Sequence, residues 1–226
     1  MTKWIKICGV TTVHDATMIA AAGASAIGLN CYPKSKRYLA AAAAARQIRD
    51  SVAAELDVVG VFVNSAAAEV AKLAEDIGLN AVQFHGDEST VEIIRFHEIC
   101  PDVAIIRAFR IGAEGLTTLQ STVTELVDAG VPLAAVLVDA FVEGEYGGTG
   151  HQVDAKLLQD WPGHWPRLIL AGGLTPETAA AAAAAVNPWG VDTASGIELS
   201  PGIKCPSKVR QFVDVLAVDA SCRLSG

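Results

Sequence analysis

Short apolar runs alternate with helical patterns along the whole chain, and this alternation restricts the possible folds more than any other feature. The predicted strands are residues 4–8, 25–31, 56–63, 81–85, 104–110, 134–139, 167–171 and 189–193. They are almost continuously hydrophobic, which is typical of parallel strands covered by helices. The rhythm fits a doubly wound sheet or a closed barrel, and eight repeats within 226 residues favour the barrel. We therefore predict one α/β domain over residues 1–226, a (β/α)8 barrel of the TIM type with a flexible tail at 219–226.

Two turns of small residues follow the seventh and eighth predicted strands. Gly172 and Gly173 end the first of these strands, and Ser195 and Gly196 follow the second. Small residues let an anion approach backbone N–H groups, and parallel β/α barrels commonly bind phosphate at this place. Between the turns, we predict a helix that is capped by Thr175 and continues through an alanine tract. The glycines have the alternative role of merely ending strands, but two such turns together favour a phosphate site.

Charge and cysteine content argue against several classes of function. The formal net charge is −8 and the pI is about 5.1, without any basic run, so neither a nucleic-acid partner nor an anionic membrane is expected. The sequence shows no membrane-spanning apolar run and no signal peptide, which predicts a cytoplasmic protein. Five cysteines without CxxC spacing indicate neither a disulfide framework nor a zinc site. We expect a monomer or homodimer that binds a small phosphorylated molecule, with no metal and no cofactor.

Cys8 and Asp139 are the strongest candidates for chemistry, because reactive groups in such barrels lie at the carboxyl ends of strands. Cys8 ends an apolar strand, and Lys6 lies on the same face, where its ammonium would favour the thiolate. The alternative for Cys8 is a small buried residue without reactivity. Asp139 also ends an apolar strand, and its alternative role is a cap or ion pair for the next loop. Together they offer a proton acceptor and a proton donor across a barrel mouth, the minimum for an isomerisation.

Four other polar residues are weaker candidates for contacts with a substrate. Arg37 lies in a basic loop and has the geometry to grip a carboxylate, although such loops are more often simply solvated. Gln83 and His85 share the fourth strand, and a lone histidine is more often a hydrogen-bonded strand-end residue than a proton shuttle. Asp192 lies on the eighth strand beside Lys6 on the first. We predict an ion pair between them, since either charge alone would be costly to bury.

Short motifs along nearly the whole chain resemble those of the phosphoribosylanthranilate isomerase family. They occur in the family's order, so the resemblance is specific although each motif is short. The matching segments are 6–9 (KICG), 32–35 (YPKS) with 37–38 (RY), 59–64 (VGVFVN), 82–88 (VQFHGDE), 139–141 (DAF) with 147–150 (GGTG), 170–174 (LAGGL), 190–192 (GVD), 195–198 (SGIE) and 200–204 (SPGIK).

The resemblance implies a (β/α)8 barrel that catalyses the Amadori rearrangement of N-(5-phospho-β-D-ribosyl)anthranilate to 1-(2-carboxyphenylamino)-1-deoxy-D-ribulose 5-phosphate. This reaction belongs to tryptophan biosynthesis. By the same resemblance, Cys8 is the general base that removes the C2 proton of the ring-opened imine. Asp139 is the general acid that protonates the ring oxygen, and Arg37 holds the anthranilate carboxylate. The turns at 172–173 and 195–196 are implied to hold the phosphate.

Four residues depart from the family's usual pattern without removing either catalytic group. They lie at the second strand's mouth, in the carboxylate loop and in the phosphate turn. They are Asn30, Cys31, Lys36 and Ala194. The longer loop 140–150 carries a glycine-rich segment outside the context of a nucleotide-binding turn, and we interpret this loop as a mobile lid.

Other functions stay open at this point. The same barrel could serve a different phosphosugar isomerase, an epimerase or an indole-forming synthase. A synthase would carry catalytic lysines near strand ends and an extra N-terminal helix. A non-catalytic binder of phosphate ligands is a further alternative, which an intact acid and base disfavour.

Overall fold

The computed structural model describes residues 3–54, 56–110, 116–139, 158 and 161–216. In these residues, eight parallel strands form a closed barrel in sequence order, with the last strand hydrogen-bonded to the first. The strands are β1 (Trp4–Cys8), β2 (Ala26–Asn30), β3 (Asp57–Phe62), β4 (Ala81–Phe84), β5 (Ala104–Arg110), β6 (Leu133–Asp139), β7 (Arg167–Ala171) and β8 (Gly190–Thr193). The predicted closed α/β barrel is therefore confirmed. The assignment of one domain to all of residues 1–226 stays a prediction.

Helices connect the strands and cover the outside of the barrel. Those in the described ranges are α1 (Val13–Ala21), α2 (Ala42–Asp50), α3 (Ala67–Ile77), α4 (Thr90–Ile99), α5 (Thr117–Asp128), α6 (Ala179–Val186) and α7 (Pro206–Leu216). Leu158 is also helical. The predicted lid at 140–150 and tail at 219–226 lie outside the described residues, as does most of the helix expected near 153–159. Within the described ranges, no helix is both long and apolar enough to cross a bilayer.

Local chemistry sets several helix ends. The hydroxyl of Thr12 accepts a hydrogen bond from the Asp15 N–H at 3.0 Å and thereby caps α1. The predicted start of α6 at Thr175 is wrong, because the helix begins at Ala179. The Thr175 N–H instead donates to the hydroxyl of Thr178 at 3.0 Å, which closes a separate turn before the helix.

The strands alternate their side chains between the barrel interior and the helix layer. Small and branched apolar residues fill the interior, including Val59, Ile106 and Ile169. Trp4 closes the amino-terminal end of the barrel and stacks on Trp189 with ring centroids 5.3 Å apart. Towards the carboxyl ends, the interior positions become polar. This change of polarity places the titratable groups at one mouth of the barrel.

Candidate active site

Cys8 and Asp139 end β1 and β6, which lie three places apart in the ring of eight strands. Each continues the interior-facing alternation of its strand, since Cys8 follows the buried Lys6 and Asp139 follows Leu137 of the interior cluster. Both residues are partly exposed. The charge of Asp192 on β8 raises the pKa of both groups. The structure therefore brings the two predicted groups to the same mouth.

Lys6 and Asp192 form the predicted ion pair inside the barrel. Nζ of Lys6 lies 2.7 Å from Oδ1 of Asp192, and their side chains are 0% and 9% exposed. The two residues are register partners on β1 and β8. Burial lowers the pKa of Lys6, but the carboxylate of Asp192 outweighs burial and leaves this pKa above its ordinary value. Lys6 is therefore a cation at neutral pH.

The environment gives Cys8 and Asp139 their protonated forms at neutral pH when no ligand is bound. Burial raises the pKa of the Cys8 thiol, and the lowering by Lys6 only partly offsets it. The expected lowering by Lys6 is present, but it does not make Cys8 a thiolate. Burial also raises the pKa of Asp139, the charge of Asp192 raises it further, and Arg110 opposes them in part. A carboxyl group with a raised pKa is suited to donate a proton.

His85 is neutral near pH 7. Burial lowers its pKa to about 4, and the positive charges of Lys6, Arg110 and Arg107 act in the same direction. Its Nδ1 lies 2.6 Å from the amide nitrogen of Gln83, so this amide donates to Nδ1 and leaves the proton on Nε2. His85 therefore offers a hydrogen-bond donor rather than a proton shuttle.

Arg37 is held firmly and is not merely solvated. Its Nε and Nη2 lie 2.8 Å and 2.6 Å from the two carboxylate oxygens of Glu198. The side chain of Arg37 is 22% exposed, whereas that of Glu198 is 4% exposed. Gly9 makes room for this arrangement, because a Cβ there would lie 2.2 Å from Cδ of Arg37. Nη1 of Arg37 has no hydrogen-bond partner among the residues that the structure describes.

The sequence analysis assigned no role to Glu198 or Lys204, which belong to a short hairpin of β9 (Glu198–Ser200) and β10 (Ile203–Lys204). Lys204 is opposite Glu198 in the hairpin, and its Nζ lies 2.8 Å from Oε1. The same Nζ donates to the carbonyl oxygens of Cys8 at 2.5 Å and Ala194 at 3.3 Å. Two opposite charges flanking the Pro-Gly turn at 201–202 were a signal for this pairing.

The turns after β7 and β8 touch each other. Gly172 and Gly173 have φ of +106° and +63°, a region that favours glycine. A 3-10 helix, Ser195–Ile197, follows β8. The hydroxyl of Thr193 donates to the carbonyl of Leu174 at 2.6 Å, and a Cβ at Gly196 would lie 2.0 Å from that oxygen. The expected proximity of the two turns is therefore present.

A cavity of about 290 Å³ opens at the carboxyl ends of β3, β4 and β5, and His85 and Arg110 are among its walls. Arg107 alternates with interior residues and belongs to the outer face of β5. Its Nη1 donates to Oε2 of Glu88 at 3.1 Å and to two carbonyls of the β4–α4 connection at 3.0 Å. Arg107 therefore supports this connection. No group of three potential metal ligands occurs in the part of the chain that the structure describes.

A closed parallel barrel with acid and base candidates at the carboxyl ends of its strands defines the class of (β/α)8-barrel enzymes. The family model for N-(5'-phosphoribosyl)anthranilate (PRA) isomerase matches residues 5–215. The N-(5'-phosphoribosyl)anthranilate isomerase of Bordetella petrii is 40% identical, and the alignment covers 98% of each chain. The chain belongs to the phosphoribosylanthranilate isomerase family, which confirms the resemblance found in the sequence.

Solved structures agree with this membership. The phosphoribosylanthranilate isomerase of Thermotoga maritima is 32% identical, with a TM-score of 0.80 over 96% of this chain and 99% of that one. A second isomerase structure holds reduced 1-(o-carboxyphenylamino)-1-deoxyribulose 5-phosphate. It is 30% identical, with a TM-score of 0.79 and the same coverage. These matches favour the isomerase over the other barrel functions that the sequence left open.

Proposed function

We propose that this chain catalyses the Amadori rearrangement of N-(5-phospho-β-D-ribosyl)anthranilate to 1-(2-carboxyphenylamino)-1-deoxy-D-ribulose 5-phosphate, a reaction of tryptophan biosynthesis. Its family membership supports this assignment. The observation that carries the mechanism is the position of Cys8 and Asp139 at interior sites on the ends of β1 and β6. Both titratable groups are therefore within reach of one ligand in the mouth.

In the proposed reaction, Asp139 donates its proton to the ring oxygen as the C1–O bond breaks. The lone pair of the anthranilate nitrogen forms the C1=N bond of the opened imine. The thiolate of Cys8 then removes the C2 proton, and that electron pair forms a C1=C2 bond while the C=N pair returns to nitrogen. Protonation at C1 and loss of the C2 hydroxyl proton give the ketose, so atoms, protons and electrons balance overall.

The charges around the mouth suit these two roles. A raised pKa keeps Asp139 protonated and ready to act as an acid. Burial raises the pKa of Cys8, while the positive charges of Lys6 and Lys204 lower it, so these two cations stabilise the thiolate when it forms. The base therefore works from a minor population of thiolate at neutral pH.

Substrate binding is assigned to groups around the same mouth. We propose that Arg37 binds the anthranilate carboxylate, and that Gln83, His85 and Asp192 contact the rest of the substrate from the interior. The phosphate is assigned to the two touching turns, whose proposed ligands are Gly172, Gly173, Ser195 and Gly196. The isomerase structure with a bound reduced ribulose 5-phosphate derivative supports a small phosphorylated ligand for this chain.

The test is an activity assay on purified protein, in which the fluorescence of the phosphoribosylated anthranilate disappears as it is consumed. Cys8→Ala and Asp139→Asn should each lower the rate by at least ~10²-fold, the usual scale for losing an acid or base. Cys100→Ala is the matched control, because Cys100 is a free, partly buried cysteine at the end of α4. A Cys8→Ala enzyme as fast as the control would contradict the assignment.

Assembly and location stay predictions from the sequence. We expect a monomer or a homodimer in the cytoplasm, with no nucleic-acid partner, no membrane partner and no cofactor. Light scattering coupled to size exclusion decides between the two assemblies.

A further inference from the structure

Glu198 lies between two cations, and neither of them has a role as acid or base in the proposed reaction. It forms a bidentate pair with Arg37 and accepts a hydrogen bond from Lys204. Lys204 is 0% exposed at its side chain and Glu198 is 4% exposed, so the cluster is closed on that side. These two cations share one carboxylate, which leaves the three-residue cluster with one surplus positive charge. A ligand carboxylate would neutralise it.

The contact fixes the plane of the Arg37 guanidinium. Glu198 occupies the edge formed by Nε and Nη2, whereas Nη1 has no partner among the described residues. A guanidinium is a planar fork, so holding one edge determines the direction in which the remaining N–H groups point. Cys8 is close enough to raise the pKa of Arg37, which locates the guanidinium near the β1 end of the mouth.

Glu198 is itself held in place by the hairpin and by both barrel ends of the site. Its Oε1 accepts hydrogen bonds from Lys204 at 2.8 Å and from the Gly202 N–H at 3.2 Å, besides the bond from Arg37. Nζ of Lys204 also binds the carbonyls of Cys8 and Ala194. The backbone N–H of Lys204 donates to the carboxylate of Asp15 at 3.3 Å. A rotation of Glu198 would therefore break several contacts.

We propose that Glu198, anchored by Lys204, is a positioning residue that aims the free edge of Arg37 at the carboxylate of the aromatic substrate. It thereby sets the preference for an amine that carries a carboxyl group over one that lacks it. This inference rests on the proposed function, since it takes the substrate carboxylate from that assignment. It adds a residue that acts only through Arg37 and touches neither the substrate nor the reacting atoms.

The test compares two ligands on the Glu198→Gln variant by titration calorimetry. One ligand is reduced 1-(o-carboxyphenylamino)-1-deoxyribulose 5-phosphate, and the other is the same compound without the aromatic carboxyl group. Glu198→Gln should weaken binding of the carboxylated ligand about tenfold to a hundredfold, the range for a charge-assisted hydrogen bond, and leave the second ligand unchanged. A merely structural role would weaken both ligands alike, and that result would overturn the inference.

Glu92→Gln is the matched control. Glu92 also pairs with an arginine, Arg95, and accepts a backbone hydrogen bond from Ala67, but it lies on α4 away from the mouth. Its substitution should leave both affinities unchanged. Equal ligand selectivity in Glu198→Gln and Glu92→Gln would count against the proposal.

A second variant keeps the inference testable if Glu198→Gln does not fold. Arg37→Lys keeps the positive charge but removes the fork that Glu198 orients, so the preference for the carboxylated ligand should fall by a similar factor. Where both variants fold, combining them should cause no additional loss, because they act on one contact. A preference for the carboxylated ligand that survives in Arg37→Lys would refute the role of the fork. If the wild type neither turns over the substrate nor binds the carboxylated ligand, the proposed function itself fails.

Discussion

Lys6→Met tests the buried ion pair that links β1 to β8. The substitution keeps an unbranched side chain but leaves the Asp192 carboxylate buried without its cation. Since the Lys6 side chain is 0% exposed and the Nζ–Oδ1 distance is 2.7 Å, solvent cannot replace the lost partner. Breaking such a pair typically costs about 3–5 kcal/mol. At about 2–4 °C per kcal/mol for a chain of this size, the melting temperature should fall by about 6–20 °C.

Urea unfolding at pH 7 measures this cost against two reference variants. The double variant Lys6→Met with Asp192→Leu removes the stranded charge as well, and it should recover at least half of the lost unfolding free energy. Lys72→Met removes a lysine whose Nζ lies 2.6 Å from Asp76, but this side chain is 73% exposed. Water replaces that partner, so no measurable loss is expected.

The result decides whether burial or proximity makes the pair important. If Lys6→Met were as stable as Lys72→Met, the argument from burial would be wrong. If the double variant were as unstable as the two single changes added together, Asp192 would not be the reason for the loss. Either outcome would also remove the basis for treating Lys6 as a cation that acts on Cys8.

Two further predictions concern the mouth. Because the pKa values of Asp139 and Cys8 are both raised and the reaction needs the acid protonated and the base ionised, kcat/KM should rise up to the pKa of Asp139 and fall above that of Cys8. In Asp139→Asn the alkaline fall should vanish, and a profile that keeps it would speak against the acid role. Gly9→Ala places a Cβ against Arg37, whereas Gly130→Ala has open space at a similar φ, +77° against +73°. Both should lose about 1–2 kcal/mol of stability, but only Gly9→Ala should raise KM, and equal KM values would contradict the clash.

Much of the barrel was predictable because its signals are local. Apolar runs that end at glycine or polar residues predicted strands, and the bounds of β1 and β5 agree with the prediction. The Lys6–Asp192 pair was predictable too, since period-two alternation and the adjacency of the first and last strands place both charges inside. The start of α6 was not, because the hydrogen bond between the Thr175 N–H and the hydroxyl of Thr178 competes with helix capping.

The sequence by itself determined which residues lie at the mouth, since strand periodicity and strand order follow from nearest-neighbour chemistry. Only the tertiary structure decided what those residues can do. Arg37 and Glu198 are 161 positions apart, and no local pattern states that one orients the other. The pKa of Cys8 likewise depends on the balance between burial and the charges of Lys6 and Lys204, which come from different parts of the chain. Electrostatic effects act through space, so they become definite only when the barrel has closed.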